Sequence, residues 1–251
     1  MKSLKIAALM GALAIPVSGP AAASDLDNLT AEERASFREE VRAYLLENPE
    51  VLLEAMQVLR DRDAQAESQA DDQLLSQNAD EIFNDGLSYV GGNPDGDITI
   101  VEFLDYRCGY CRKAHTDVAE LLKADGNIRL IIKEFPILGA DSEASSKLAI
   151  ATLQHYGNDA YYRLHDVLMT FNGPVNTQTM PAIAQQAGFD FAPLADLIES
   201  DGVAEHISRM HALGQTLQIT GTPSFVIEDT MLRGYLPLAD MQTIVAQVRA
   251  N

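Results

Sequence analysis

Cys108 and Cys111 stand three positions apart in "YRCGYCRKAH" (106–115) and are the only two cysteines of the chain. Two thiols at that spacing can exchange electrons with a disulfide, clasp a tight loop, or hold a soft metal. A structural staple is disfavoured, because so short a separation removes almost no chain entropy. A closed zinc site needs four ligands, and although His115 could join the thiols from the next turn, there is no second cysteine pair to complete it. Attachment of c-type haem requires a histidine where Arg112 stands. His115 itself is expected as a solvated helix residue. The pair lies between an apolar, β-branched run, "DITIVEFLD" (97–105), and a helical pattern, "RKAHTDVAELLKAD" (112–125). A strand-to-helix turn sets Cys108 beside the unpaired N–H groups of the helix start, where the dipole favours a thiolate. Cys108 is therefore expected to be exposed and nucleophilic. Cys111, one turn in, is expected to be more buried and able to resolve a mixed disulfide.

Two further residues fit that chemistry. Glu102 interrupts an otherwise apolar strand six positions before Cys108, and its alternation turns it inward, beneath the pair. There a desolvated carboxyl with a raised pKa could trade protons with Cys111. Pro223 opens the run "GTPSFVI" (221–227); a proline at such a place is often cis and leaves the backbone before it free to hold an extended peptide.

The elements needed to position these residues follow in order. After the helix comes "IRLIIKEF" (128–135), a second buried strand. From 140 to 219 the signals are all helical, with Asn158, Thr177 and Asp201 as expected caps and Gly188 and Gly214 as expected stops. "GTPSFVI" and "MLRGY" (231–235) then read as a hairpin and 238–251 as a last helix, while 88–91 reads as a short first strand.

Further upstream, Thr30-Ala31-Glu32-Glu33 has the form of a capping box before a helix of about 17 residues. Asn48 and Pro49 are expected to end it and start a second, as N-cap and first helical residue. Phe37, Val41, Tyr44 and Leu45 share one face of the first helix, and Leu52, Leu53, Met56 and Leu59 one face of the second. Two short helices cannot bury such stripes alone, so residues 24–60 are expected to assemble copies of the chain, the alternative being packing on their own domain. Residues 61–76, poor in large apolar side chains up to Gln73, read as a flexible or helical linker.

At the start of the chain, Lys2 and Lys5 precede an apolar run (6–17) and the small residues Ala21-Ala22-Ala23, the pattern of a signal peptide spanning 1–23. The run is shorter than the roughly 20 residues that cross a bilayer. Removing it takes the net charge from −19 to −21 and predicts an exported, periplasmic protein. So acidic a chain is a poor ligand for phosphates, which excludes nucleic acid as a partner.

"VEFLDYRCGYC", "IIKEFPILG" and "TGTPSFVI", in that order, resemble the DsbA family of thioredoxin-fold thiol–disulfide oxidoreductases over about residues 77–251. The resemblance implies an α/β thioredoxin fold with a helical domain inserted at about 140–219, behind an N-terminal helical oligomerisation stalk. It makes Cys108 the attacking thiol, Cys111 the resolving thiol and Glu102 the buried acid. Gly109, Tyr110, Thr222 and Pro223 would contact the substrate, and Lys133 would accompany Glu102. Gly109-Tyr110 and Thr222 depart from the strongly oxidising DsbA pattern and resemble the DsbC isomerases, while 43–59 resembles the stalk of the trimeric suppressor-of-copper-sensitivity C group. Together these imply a disulfide isomerase or reductase that works as a homotrimer without cofactor or resident metal. Its clients would be misfolded or misoxidised exported proteins and its electron source a DsbD- or ScsB-like membrane thiol reductant. A monomeric dithiol oxidase, and a copper-binding protein using the same cysteines, are the alternatives.

Overall fold

The computed structural model describes residues 29–250; the expected signal peptide lies outside them. The chain divides into two compact units, one ending at Asp61 and the other beginning at Arg62.

The first unit holds α1 (Ala31–Glu47) and the beginning of α2 (Glu50–Gln77). The capping box forms as its residues require: the Thr30 side chain accepts from the Glu33 N–H, and the Thr30 N–H donates to the Glu33 carboxylate at 2.9 Å. Asn48 differs from expectation. Its side chain donates to the Tyr44 carbonyl at 2.9 Å, so it closes the end of α1 instead of capping α2, which starts at Glu50 after Pro49. The carbonyls left open at the C-terminus of α1 are the nearer acceptors for its amide. Phe37, Val41, Tyr44, Leu52, Met56 and Leu59 are all exposed in the single chain.

The second unit is built on a five-stranded sheet ordered β1-β3-β2-β4-β5. Its strands are β1 (Tyr89–Gly92), β2 (Ile98–Leu104), β3 (Ile128–Glu134), β4 (Ser224–Ile227) and β5 (Thr230–Arg233). Only β2 and β3 run parallel, joined through α4 (Gly109–Asp125), while β1, β4 and β5 pair antiparallel. This is the thioredoxin arrangement. The helices α5 (Ala140–Tyr156), α6 (Asn158–Thr170), α7 (Met180–Gln186) and α8 (Asp201–Thr216) fill the interval between β3 and β4, and α9 (Leu238–Arg249) closes the unit.

Both sheet faces are buried, which explains why β2 and β3 are apolar on both faces apart from Thr99, Glu102, Arg129, Lys133 and Glu134. Ile100, Leu104, Leu130 and Ile132 pack under α4, α9 and the inserted helices. Val101, Phe103, Ile131 and Val226 pack on the opposite face against Leu75 of α2, Ile82 of α3 (Ala79–Phe83), and Leu213 and Leu217. The segment 61–76 is helical throughout, and its C-terminal part belongs to this body, since Asp71 and Leu75 are buried and Asp71 forms two 2.7 Å hydrogen bonds with Arg233.

Several helix boundaries fall beside the expected residues. Gly157 precedes α6 and leaves Asn158 to bond the Val90 carbonyl; Thr179 stands where Thr177 was expected; Ser200, not Asp201, caps α8 by accepting from Val203. Gly188, at φ +89°, does follow the end of α7. Gly214 lies inside α8 and stops nothing. A Cβ there would sit 2.5 Å from Cε2 of Phe135, so it is glycine because the aromatic ring presses on the helix backbone.

Candidate active site

Cys108 is the N-cap residue of α4, with extended backbone angles, and its sulfur makes no capping hydrogen bond to the helix N–H groups. It is partly exposed; Cys111, in the first turn, is fully buried, and both thiols are free. The Cys108 thiol donates to the Thr222 carbonyl at 3.1 Å, which brings the two distant motifs together. The Thr222–Pro223 bond is cis. Among the described residues the Thr222 N–H meets no acceptor. Gly109 is exposed, and Tyr110, 63% exposed, stacks on Tyr235 with centroids 6.1 Å apart. Lys113 lies over the other aromatic of that pair, 4.2 Å from the Tyr235 centroid.

Beneath the pair, Glu102 is fully enclosed in β2, and its Oε1 has no hydrogen-bond partner. Burial pushes its carboxyl up to about 8. Burial also holds the Cys111 thiol well above its ordinary range, and the Glu102 charge adds to that rise, so the two groups compete for negative charge. Lys133 does not join them. The β2–β3 register sets Glu102 opposite Ile132 and Phe103 opposite Lys133, which puts the lysine on the other face of the sheet. There it is fully buried in an ion pair with Asp85 at 2.6 Å and donates to the Glu81 carbonyl. His115 is not merely solvated either: it lies 3.1 Å from Asp166 and 3.1 Å from His165, both on α6.

Asp105 escaped the sequence reading although it directly follows the same strand. Its buried carboxylate accepts from the Arg107 N–H (2.7 Å), the Ser142 hydroxyl (2.7 Å), and the Ile137 and Leu138 N–H groups (2.8 and 3.0 Å). Its backbone accepts from the Cys108 N–H at 3.0 Å, and its own N–H points at Cys111 Sγ at 3.5 Å. One side chain thus ties the cysteine turn to the loop after β3 and to the start of α5. The only sequence signal was an acid directly after a buried strand.

Residues 84–247 match the family described as "Thioredoxin". The chain belongs to the thioredoxin family. Residues 33–66 match a second description, "Copper resistance protein ScsC N-terminal domain". A thioredoxin-like oxidoreductase from Silicibacter pomeroyi is 40% identical, with 68% of this chain and 98% of that one covered at a TM-score of 0.64. Proteus mirabilis ScsC in a transitional conformation is 26% identical over 88% of this chain and 99% of its own, with a TM-score of 0.66. The thiol:disulfide interchange protein DsbC of Escherichia coli is 28% identical over 144 residues, 57% of this chain and 48% of that protein. The chain spans still less, 25%, of a Salinispora arenicola Na(+)/H(+) antiporter, NhaA 1, to which it is 24% identical over 164 residues.

Proposed function

We propose that this chain is an exported thiol–disulfide oxidoreductase that acts mainly as a protein disulfide isomerase or reductase in the periplasm, assembled as a homotrimer through residues 24–60. The observation that carries the chemistry is the unequal placement of the two thiols: Cys108 accessible at a helix N-terminus and bonded to Thr222, Cys111 enclosed above Glu102. Cys108 as thiolate attacks a client disulfide; a new S–S bond forms, the client's S–S bond breaks, and one client sulfur leaves as thiolate. Cys111 then passes its proton to the Glu102 carboxylate and attacks Cys108 Sγ, which releases the second client thiolate and leaves the Cys108–Cys111 disulfide. A carboxyl that titrates near the working pH suits that exchange. The unpaired Thr222 N–H, with Pro223, Gly109 and Tyr110, receives the client backbone. When the client rearranges before Cys111 attacks, the same first step serves isomerisation.

An isomerase must start reduced, so a membrane thiol reductant of the DsbD or ScsB kind supplies electrons. Joining several sites in one body raises their effective concentration on a bound client. The exposed stripe of α1 and α2 and the N-terminal match to ScsC support that assembly. The description of that matched domain also supports a second reading, in which the reduced pair binds Cu(I) as soft ligands. Turnover of scrambled ribonuclease, compared with oxidation of reduced ribonuclease in one glutathione buffer, decides the first reading. Faster oxidation than unscrambling, or activity that needs added copper, defeats it.

A further inference from the structure

On the sheet face that carries Glu102, a second buried carboxyl begins a row of titratable side chains that ends in water. Glu134, at the end of β3, is fully enclosed. Its Oε2 accepts from the Ser146 hydroxyl at 2.6 Å, and its Oε1 from the Tyr161 hydroxyl at 2.6 Å. The Tyr106 hydroxyl lies 2.9 Å from the same Oε1 and 3.2 Å from His165 Nδ1. His165 Nε2 is 3.1 Å from His115 Nδ1, and His115 Nε2 is 3.1 Å from Asp166 Oδ1. Tyr106 and His165 are buried, whereas the Asp166 side chain is 52% exposed.

We infer that Glu134, Tyr106, His165, His115 and Asp166 form a proton wire through which Glu134 trades its proton with solvent, so that a second proton store sits beside the cysteine pair. The row has two complete hydrogen-bond patterns with equal numbers of protons. In the first, His115 carries both N–H groups: Nε2–H donates to Asp166 and Nδ1–H to His165 Nε2. His165 Nδ1–H then donates to the Tyr106 oxygen, and Tyr106 O–H donates to the Glu134 carboxylate. In the second, Glu134 is protonated and donates to Tyr106, Tyr106 donates to His165 Nδ1, His165 Nε2–H donates to His115 Nδ1, and neutral His115 donates Nε2–H to Asp166.

Three hops convert the first pattern into the second. A proton leaves His115 Nδ1 for His165 Nε2, one leaves His165 Nδ1 for the Tyr106 oxygen, and one leaves Tyr106 for Glu134 Oε1. One positive charge moves inward and neutralises Glu134, and no atom beyond the protons changes partners. Exchange with water happens only at the His115–Asp166 end. Electrostatics favours the second pattern, in which Glu134 holds the proton and His115 is neutral, and the first is the one that forms when the proton returns outward. Burial pushes Glu134 up to about 7, against the hydrogen bonds from Ser146, Tyr161 and Tyr106, with the Asp105 charge adding to the rise. Burial lowers His115 while Asp166 opposes it, and burial together with His115 lowers His165. The other ionisable neighbours are Glu102, whose charge reaches Tyr106, Tyr161 and Tyr162, whose rings stack on His165, and Tyr89, which feels the Asp166 charge.

The link to the cysteines rests on the thiol–disulfide reading. Reducing the Cys108–Cys111 disulfide takes two electrons and two protons when both thiols end protonated. Asp105 stands between the two sites, its N–H pointing at Cys111 Sγ and its charge raising Glu134, so a negative charge left at the cysteine pair is answered by a proton that the wire delivers to Glu134. Infrared spectroscopy of the full chain tests the wire directly. A protonated-carboxyl stretch that vanishes in Glu134→Gln is expected to titrate around neutral pH and to shift as soon as the protein meets D2O. His115→Leu and, separately, Tyr106→Phe are expected to keep the band and to slow its shift by an order of magnitude or more, since exchange then waits for local opening. A band that does not titrate, or that deuterates equally fast in both variants, overturns the wire. Reduction by dithiothreitol in weak buffer is expected to draw more protons into the wild-type chain than into Glu134→Gln. Equal uptake overturns the coupling to the cysteines, and failure of the pair to react with dithiothreitol sinks the thiol reading alone.

Discussion

Burying Glu102 makes its ionisation a burden on the fold. Its folded-state pKa, about 8, lies above the ordinary 4.5, so the native state holds this proton more tightly than the unfolded chain does. Stability therefore falls as pH rises through 4.5, and the loss is complete once the pH passes the folded value of about 8. In Glu102→Gln that component of the slope should be absent. Urea unfolding at a series of pH values reads it as a wild-type stability that declines relative to the variant, whatever constant offset the buried amide brings. A parallel pair of curves rejects the assignment. In stopped-flow kinetics the same variant should release the mixed disulfide more slowly while forming it at the wild-type rate. On the other face, Lys133 and Asp85 are 0% and 4% exposed at their side chains, so neither can turn to water when its partner is lost. Lys133→Ala should cost about 3–5 kcal/mol, and adding Asp85→Asn should recover much of that loss by removing the stranded charge. Cys108, Cys111, Glu102 and Pro223 could be picked out from the sequence because each breaks a local pattern. The partners of Lys133 and His115 could not. They depend on which strand face Lys133 takes and on α6, some fifty positions from His115.

Gly214 and Gly202 share α8, and a helical scale alone treats both as sites where alanine should help. At Gly202 the nearest atom to a new Cβ is Ser200 Oγ at 4.0 Å, so Gly202→Ala should be neutral or stabilise by up to about 1 kcal/mol. At Gly214 the methyl would meet Phe135 at 2.5 Å, and Gly214→Ala should cost about 1–3 kcal/mol as the ring or the helix shifts. Thermal unfolding of the two variants side by side checks the difference, and equal effects would mean that Phe135 yields freely. The strands and α4 follow directly from apolar runs and from three- and four-residue periodicity. The start of α6 in the insertion and the end of α1 near the N-terminus differ from expectation because Asn158 and Asn48 each found a backbone carbonyl closer than the helix they were expected to cap. Gly214 misled for a related reason: glycine signals a stop and a close approach with the same letter.

For the molecule as a whole, the order of the strands and long helices was legible, while the short α3, whose Ile82 packs under the sheet, was not. What covers the apolar stripe of α1 and α2 was not legible either, since a stripe records that something packs on it and not what. A chain beginning at Arg62 keeps Asp71 and Leu75 in place, and with them the Arg233 pair and one face of the sheet. It should be a folded monomer by light scattering, with thiols that still react, and it should lose most ribonuclease unscrambling. An oligomeric or fully active truncation rejects assembly through the N-terminal helices. The Asp105 carboxylate has a different consequence. It collects donors from the cysteine turn, from the loop at 137–138 and from Ser142, and the insertion enters the thioredoxin unit just past that loop. This makes Asp105 a modular joint. A foreign helical cap of other size and surface should be interchangeable with α5–α8 if it leaves residues 136–139 intact and offers a hydroxyl to Asp105 in place of Ser142, and to the buried Glu134 in place of Ser146 and Tyr161. The client range of such chimaeras could then diverge while the electron chemistry at Cys108 stayed the same.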